Sequence, residues 1–297
     1  MENLIERAAR DLLKSEYAIA LTGAGVSTES GIPDFRGPSG IWTRDPDAER
    51  RAYQSYERFL EDPREWWKER LTSSSPFGDI ERLRPNPGHL ALAELERLGI
   101  LKCVITQNID GLHEKAGTKN LVEYHGSALK LRCSLCSSRF ARDQFDLRRL
   151  MFDDKLPPLC PLCGGVLKTD SVAFGEPIPH NVSRLSLEET RRCDLMLICG
   201  TSAVVYPFAQ LPRIARERRF ARKEEMTRTG SGLPIDEDLQ AVTIIEVNAE
   251  PTLLTQEGVS DYLIRGKTGE ILPRIVERVL KTKPLSGRGG SSGRPGA

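Results

Sequence analysis

No apolar run in the chain approaches the roughly 18 residues that a membrane-spanning helix needs. Its first stretch, MENLIERAARDLLK, is charged and amphipathic where a secretory leader would be apolar, so the expected location is the cytoplasm. A charge imbalance is missing too. With 43 Lys+Arg against 42 Asp+Glu the net charge is +1, which provides no global field for nucleic acid or an anionic membrane, and neither is expected as a partner. Histidine is scarce, at four residues, so each can be weighed singly as a candidate base. Cysteine is odd in number, at seven, and four of these form two C-x2-C pairs, which in a reducing compartment favours metal binding over disulfides. What remains is an ordinary globular composition, 39% hydrophobic and 29% charged, excluding wholesale disorder; 297 residues suit two domains or one large α/β domain with an insertion.

Short apolar, β-branched runs recur at Tyr17–Thr22, Leu101–Thr106, Leu121–Tyr124, Asp194–Cys199, Val242–Val247 and Asp261–Arg265, mostly separated by helix-length segments. That rhythm predicts an α/β fold with an open parallel sheet and crossover helices. Helical periodicity is clear over Glu2–Ser15 and over Pro87–Leu98, where Gly99 ends the second. Two stretches break the rhythm. Residues 37–86, rich in Trp, Tyr, Pro and Ser, are a long helical and loop excursion, and residues 126–175 hold both cysteine pairs. Segment Arg213–Arg228 carries seven basic and three acidic residues, and Arg213–Gln240 reads as a solvated helix plus flexible loop. The tail, 281–297, has four basic and no acidic residues and lacks the apolar content to offset ordering entropy, so disorder is expected there.

Three polar constellations follow predicted strands. The first is Gly23-Ala24-Gly25-Val26-Ser27-Thr28, then Gly31-Ile-Pro-Asp34-Phe35-Arg36. Glycines after a buried strand let backbone N–H groups reach a pyrophosphate, though Thr28 occupies the third position of the usual G-x-G-x-x-G and an ordinary tight turn is the competing reading. The second, Thr106-Gln107-Asn108-Ile109-Asp110-Gly111-Leu112-His113, sits where ligands bind in parallel sheets, beyond the strand's carboxyl end; a capped polar loop would look similar. The third is Glu123-Tyr124-His125-Gly126. His125 alone among the histidines combines a strand end with a following glycine, making it the candidate general base, against the alternative of a hydrogen-bonded structural histidine.

The pairs Cys133-x2-Cys136 and Cys160-x2-Cys163 stand 23 residues apart, with Pro161 and Gly164-Gly165 supplying knuckle turns. Four thiolates close a tetrahedral sphere around one Zn²⁺ and leave no position for water, so the metal is structural. Cys103, Cys193 and Cys199 lie in or beside apolar runs and read as buried small hydrophobes.

Taken together and in this order, Gly23–Ser27, Gly31–Arg36, Thr106–His113, His125-Gly126, the four cysteines, Phe174-Gly175-Glu176, Gly200-Thr201-Ser202 and Val247-Asn248 resemble the sirtuins, the Sir2 family of NAD-dependent protein deacylases, across residues 15–275. The resemblance implies a Rossmann-like NAD domain in two parts, 1–125 and 176–280, with a zinc-binding module at 126–175 and acyl-lysine entering between them. It places Gly23, Ala24, Gly25, Thr28, Asp34, Phe35 and Arg36 on the phosphate and nicotinamide side. Gln107, Asn108, Ile109 and Asp110 then surround the ribose and carboxamide; Gly200, Thr201 and Ser202 meet ribose and phosphate, and Asn248 with Glu250 the adenosine ribose. Val172, Phe174, Gly175 and Glu176 on one side and Val205 on the other would grip the substrate peptide as an added strand, with little sequence specificity.

The chemistry implied is attack of the acyl-lysine oxygen on C1′ of the nicotinamide ribose, loss of nicotinamide, and attack by the 2′-hydroxyl after His125 removes its proton, with Asn108 and Asp110 orienting. Free lysine and an O-acyl-ADP-ribose result. NAD is thus a co-substrate, and acyl-lysine proteins or peptides are the partners. Members that remove acidic acyl groups resemble one another in a Tyr-x-x-Arg; here the nearest match is Trp67-x-x-Arg70, which favours a short neutral acyl group such as acetyl. A mono-ADP-ribosyltransferase or NAD glycohydrolase would use the same site, and a non-catalytic NAD-binding zinc module is the alternative outside enzymes.

Overall fold

The computed structural model describes residues 1–38, 40–73, 77–217 and 242–282. Expectations for the rest of the charged segment and for the tail, 218–241 and 283–297, fall outside the described residues.

All six apolar runs are strands: β1 (Ala18–Thr22), β2 (Leu101–Thr106), β3 (Leu121–Glu123), β7 (Leu195–Cys199), β8 (Thr243–Asn248) and β9 (Tyr262–Arg265). They form one parallel sheet in the order β3-β2-β1-β7-β8-β9. The chain runs outward from β1 to β3, then returns to start again at β7 beside β1. The connections leaving β1 and β7 therefore run in opposite directions along the sheet, and the carboxyl ends at this switch are the position at which such sheets bind ligands.

Both faces of the sheet are covered, which is why its strands read as unbroken apolar runs. Along β1 the period of two assigns Ala18 and Ala20 to one face and Ile19 and Leu21 to the other. The small side chains let helices α1 (Glu2–Lys14), α5 (Pro87–Arg97) and the helix Thr268–Thr282 pack closely through Ile5, Leu12, Leu92, Leu95, Ile275 and Val279. Opposite, Phe208, Leu211 and Leu254 fill the second core, with the helix His180–Arg192 adding Val182 and Leu187.

The 37–86 excursion is mostly helical: α2 (Ile41–Arg44), α3 (Pro46–Glu61) and α4 (Pro63–Thr72). Two Asp-Pro pairs punctuate it. Asp45 accepts the Ala48 N–H and Asp62 accepts those of Arg64 and Glu65, with Pro46 and Pro63 at the first helical position. Within 126–175, β4 (Lys130–Cys133), β5 (Arg139–Ala141) and β6 (Leu167–Thr169) make a three-stranded antiparallel sheet, order β5-β4-β6, with a short helix, Leu147–Phe152, between β5 and β6. Its core is shared with the excursion: Phe59, Trp66 and Trp67 pack with Leu131, Cys133, Leu147, Cys160 and Leu167. The Trp67 indole N–H donates to the Leu167 carbonyl at 2.8 Å.

Candidate active site

The turn after β1 is held against the turn after β7 by main chain. Gly23 N–H donates to Cys199 O at 3.2 Å and Gly25 N–H to Gly200 O at 2.8 Å. A Cβ on Gly25 would lie 2.8 Å from Gly200 Cα, so close approach of two backbones, as well as any ligand, demands glycine here. Those two amides are therefore occupied. Ala24 begins the 3₁₀ helix Ala24–Ser30, which carries Thr28, whose hydroxyl donates to Gly25 O.

The loop after β2 locks into both turns. Gln107 Nε2 donates to Thr201 Oγ1 at 2.7 Å, and Asn108 Nδ2 donates to Gly23 O and to Ser27 Oγ, each at 3.0 Å. Ser27 in turn donates to Asp110 Oδ2 at 2.7 Å and meets His89 Nε2 at 3.4 Å. Because His89 Nδ1 faces the Asn86 N–H, its proton sits on Nε2 and is directed at Ser27. One buried hydroxyl thus receives Asn108 and His89 and gives to Asp110, fixing both loop side chains. Burial raises the Asp110 carboxyl, against the opposing pull of the Leu112 N–H and the Ser27 hydroxyl.

Ser27, His89 and Asn86 are site-building residues that pattern reading misses. Asn86-Pro-Gly-His89 carries only a helix-cap signature, which it also is: Asn86 accepts the Gly88 N–H while its Nδ2 reaches Val26 O at 2.7 Å. Nothing in linear spacing shows that the cap of α5 lies under the glycine turn.

His125 stands at the end of β3, half-buried, with Tyr124 and Phe208 rings at 5.4 and 6.4 Å. Its Nδ1 faces Gln107 O at 3.3 Å, which places the proton on Nδ1 and leaves the Nε2 lone pair free to accept. Burial lowers its pKa to about 4, the Gln107 carbonyl opposing, so the ring is neutral at physiological pH.

On the other side of the crevice an aromatic cluster joins the first loop to residues 172–176. Phe35 and Trp42 rings lie 4.9 Å apart, Trp42 and Phe174 5.7 Å, and Tyr53 stacks on Phe174 at 4.3 Å. Arg36 lies over Trp42, and Asp34 Oδ1 closes its own turn on the Gly37 N–H. Val172 N–H donates to His125 O at 2.8 Å, placing that segment beside the histidine. Glu176 accepts the Ala173 N–H and the Lys168 ammonium, each at 2.9 Å, bracing the bend at Phe174-Gly175 from within. Val205 is half-buried, just before the short Phe208–Gln210 turn of helix that faces His125, while Ser202 is exposed. At the far end, Asn248 Nδ2 donates to Glu250 O, and the Glu250 carboxylate pairs with Arg265. Ile109 contributes main chain, its carbonyl accepting the Ala128 N–H.

The four cysteine sulfurs all lie within 4.8 Å of one another, with Cys133 to Cys163 at 3.4 Å and Cys136 to Cys160 at 3.8 Å. Four thiolates about 2.3 Å from one ion stand roughly 3.8 Å apart, so this quartet fits Zn²⁺. The Leu135 and Cys136 N–H groups both point at Cys133 Sγ, as a thiolate favours.

An open parallel sheet with a polar crevice at its switch point and a neutral, oriented histidine beside it defines a dinucleotide-using α/β enzyme. Comparison with known proteins narrows this. The Sir2 family model matches residues 23–207. The "NAD-dependent protein deacylase 2" of Pyrobaculum aerophilum is 40% identical over 273 residues, covering 91% of this chain and 94% of that protein. A solved Sir2 homolog–NAD complex superposes with a TM-score of 0.69 at 37% identity, covering 95% of this chain and 94% of the other. A Sir2 complex with a deacetylated p53 peptide and 3′-O-acetyl ADP ribose gives 0.68 at 30% identity, with 92% and 97% covered. The chain belongs to the Sir2 family.

Proposed function

We propose that this protein removes acyl groups from lysine side chains of proteins, consuming NAD and releasing nicotinamide, free lysine and O-acyl-ADP-ribose. The observation that carries this reading is His125: a neutral imidazole, its tautomer set by Gln107 O in the loop after β2, with Nε2 unprotonated. The relatives carry that activity in their names, and the solved relatives hold NAD, or acetylated ADP-ribose with peptide.

In this reading Asn108 and Asp110, held by Ser27, orient the nicotinamide ribose and the carboxamide. Gly23, Ala24, Gly25, Thr28, Asp34 and Arg36 line the phosphate side with Gly200, Thr201 and Ser202, and Asn248 with Glu250 meets the adenosine end. Phe35, backed by Trp42, shields the reacting carbon from water and returning nicotinamide. His125 accepts the 2′-hydroxyl proton, which lets that oxygen take over the acyl group. Val172, Phe174, Gly175 and Glu176 present main chain to the peptide, and Val205 borders it opposite. Cys133, Cys136, Cys160 and Cys163 hold a structural zinc, which ties the knuckles together and takes no part in the chemistry.

The acyl group is short and neutral. Trp67, in the Trp67-x-x-Arg70 match, is buried in the module core with its N–H on Leu167, and Arg70 is stacked on Trp66 at 4.6 Å, so this pair does not form a tyrosine–arginine clamp for a carboxylate. A panel of acetyl-, propionyl-, butyryl- and succinyl-lysine peptides, followed by mass spectrometry, tests the whole reading. Expected are nicotinamide and O-acyl-ADP-ribose in equal amounts, acetyl exceeding succinyl, and loss of at least about a hundredfold in turnover for His125→Ala with NAD still bound. Unchanged turnover in that variant, or ADP-ribose appearing on protein or free in solution without deacylated lysine, overturns it.

A further inference from the structure

The turn that carries His125 is gripped from the zinc-module side by one carboxylate that the chemistry above does not use. Asp170 follows β6 and is fully buried. Its Oδ2 accepts the Ser127 N–H at 2.9 Å and the Arg139 Nε–H at 3.1 Å, and its Oδ1 pairs with Arg132 Nη2 at 2.5 Å. Its main chain closes the same grip. Asp170 N–H donates to Lys130 O at 2.9 Å, and its carbonyl sits so close to Gly126 that a Cβ there would come within 2.1 Å of it. Gly126 has φ 72°, so both space and backbone conformation fix glycine at this point.

A second carboxylate lies on the same guanidinium. Glu123, two residues before His125 and buried, receives Arg139 Nη2 at 2.6 Å and Lys130 Nζ at 2.9 Å. A single nitrogen of Arg139, Nη2, therefore joins Glu123, two residues before His125, to Asp170, and both Arg139 and Arg132 come from the hairpin β4–β5 that carries Cys133 and Cys136. Both carboxylates are buried while Arg139 reaches them from the surface, and charge-assisted bonds to buried carboxylates are directional and costly to break, so this network holds the turn in one place.

We infer that Asp170 is a positioning residue for the general base: through Ser127, Gly126 and the Arg139–Glu123 bridge it sets where the His125 ring stands, and makes the zinc module part of catalysis. The inference rests on the role given to His125 above. In that mechanism nicotinamide leaves before the histidine acts, so misplacing the ring slows the later stage alone. Global loosening slows both.

The test uses the zinc-loaded full chain and reads two rates under saturating acetyl-peptide: deacetylation, and exchange of labelled nicotinamide into NAD. Asp170→Asn keeps an acceptor for the Ser127 N–H but removes the charge; a ring displaced by about 1 Å loses on the order of a hundredfold, so a fall of about tenfold to a hundredfold in deacetylation kcat is expected, with exchange and the KM for NAD within about twofold. Arg139→Lys retains charge but loses the second donor to Asp170, the Nε–H, and a smaller loss with the same split follows. It carries the test if Asp170→Asn does not accumulate folded. His125→Ala must show the split in its extreme form; if it does not, the reading of His125 fails. If it does, yet the Asp170 and Arg139 variants lower both rates equally or neither, the positioning role is overturned.

Discussion

The two halves of this molecule are held together by different physics. The sheet half buries apolar side chains on both faces, from Ile5 and Leu92 on one to Ile19 and Phe208 on the other, and needs nothing added. Residues 126–175 have short strands of three or four residues and a core that must borrow Phe59, Trp66 and Trp67 from the excursion. Such a module is too small to be stable by burial alone, and the thiolate quartet supplies what is missing. Yet the two halves meet at His125, so in the proposed mechanism the autonomous half depends for its chemistry on the conditional one.

Removing the metal is the largest way to break that asymmetry. Structural zinc contributes apparent folding energies of about 10–16 kcal/mol in small domains. Chelation, or Cys163→Ser, is expected to unfold 126–175 while the parallel sheet persists. Fluorescence of Trp66 and Trp67 should shift to that of exposed indole with most far-ultraviolet dichroism retained. Hydrogen exchange should show deprotection across β4–β6 but not across β1, β2, β7 and β8. A single cooperative loss of both halves would show that the sheet is not self-sufficient.

Legibility in the sequence divides along the same line. The strands of the sheet are buried on both faces and therefore betray themselves as apolar runs; each of the six begins or ends within one residue of its expected bound. The module announces its metal through cysteine spacing but conceals its strands, because Leu131 and Leu167 alternate with Arg132 and Lys168 over too short a stretch to show a period. Partnerships across the fold are hidden entirely. Ser27 looks like one more small residue after a glycine turn until Asn108, Asp110 and His89 converge on it, and Asp170 is an anonymous acidic residue until Gly126 and Arg139 are seen against it.

Acid acts on the sheet half through histidines that residues 126–175 lack, two of them buried. Burial lowers His89 to about 4 and His113, with His89 adding its repulsion, to about 3. Their rings lie 4.9 Å apart. The unfolded chain binds protons at these sites near pH 6.5, whereas the native protein refuses them until well below pH 5. More protons are bound by the unfolded state throughout that window, so stability falls as pH drops from 6.5 toward 4, by about 1.4 kcal/mol per pH unit for each histidine. Urea titrations at pH 6.5 and 5 measure the slope. His113→Gln should reduce it by about one histidine's share, a difference in which any loss of zinc to thiolate protonation cancels. An unaltered slope would mean that the ring is not held neutral.

The smallest of these effects tests the seam itself. Trp67→Phe keeps most of the buried ring but leaves the Leu167 carbonyl without its indole donor, at a cost of about 1–3 kcal/mol. If the excursion and the module form one cooperative unit, that loss is felt in the zinc-dependent transition and not in the unfolding of the sheet. The same variant should lower deacylation only as far as the module's population of folded molecules falls, since Trp67 touches no residue of the crevice described above. A drop in turnover at full zinc occupancy and unchanged stability would couple α4 to the proposed site, beside the aromatic cluster of Phe35, Trp42, Tyr53 and Phe174.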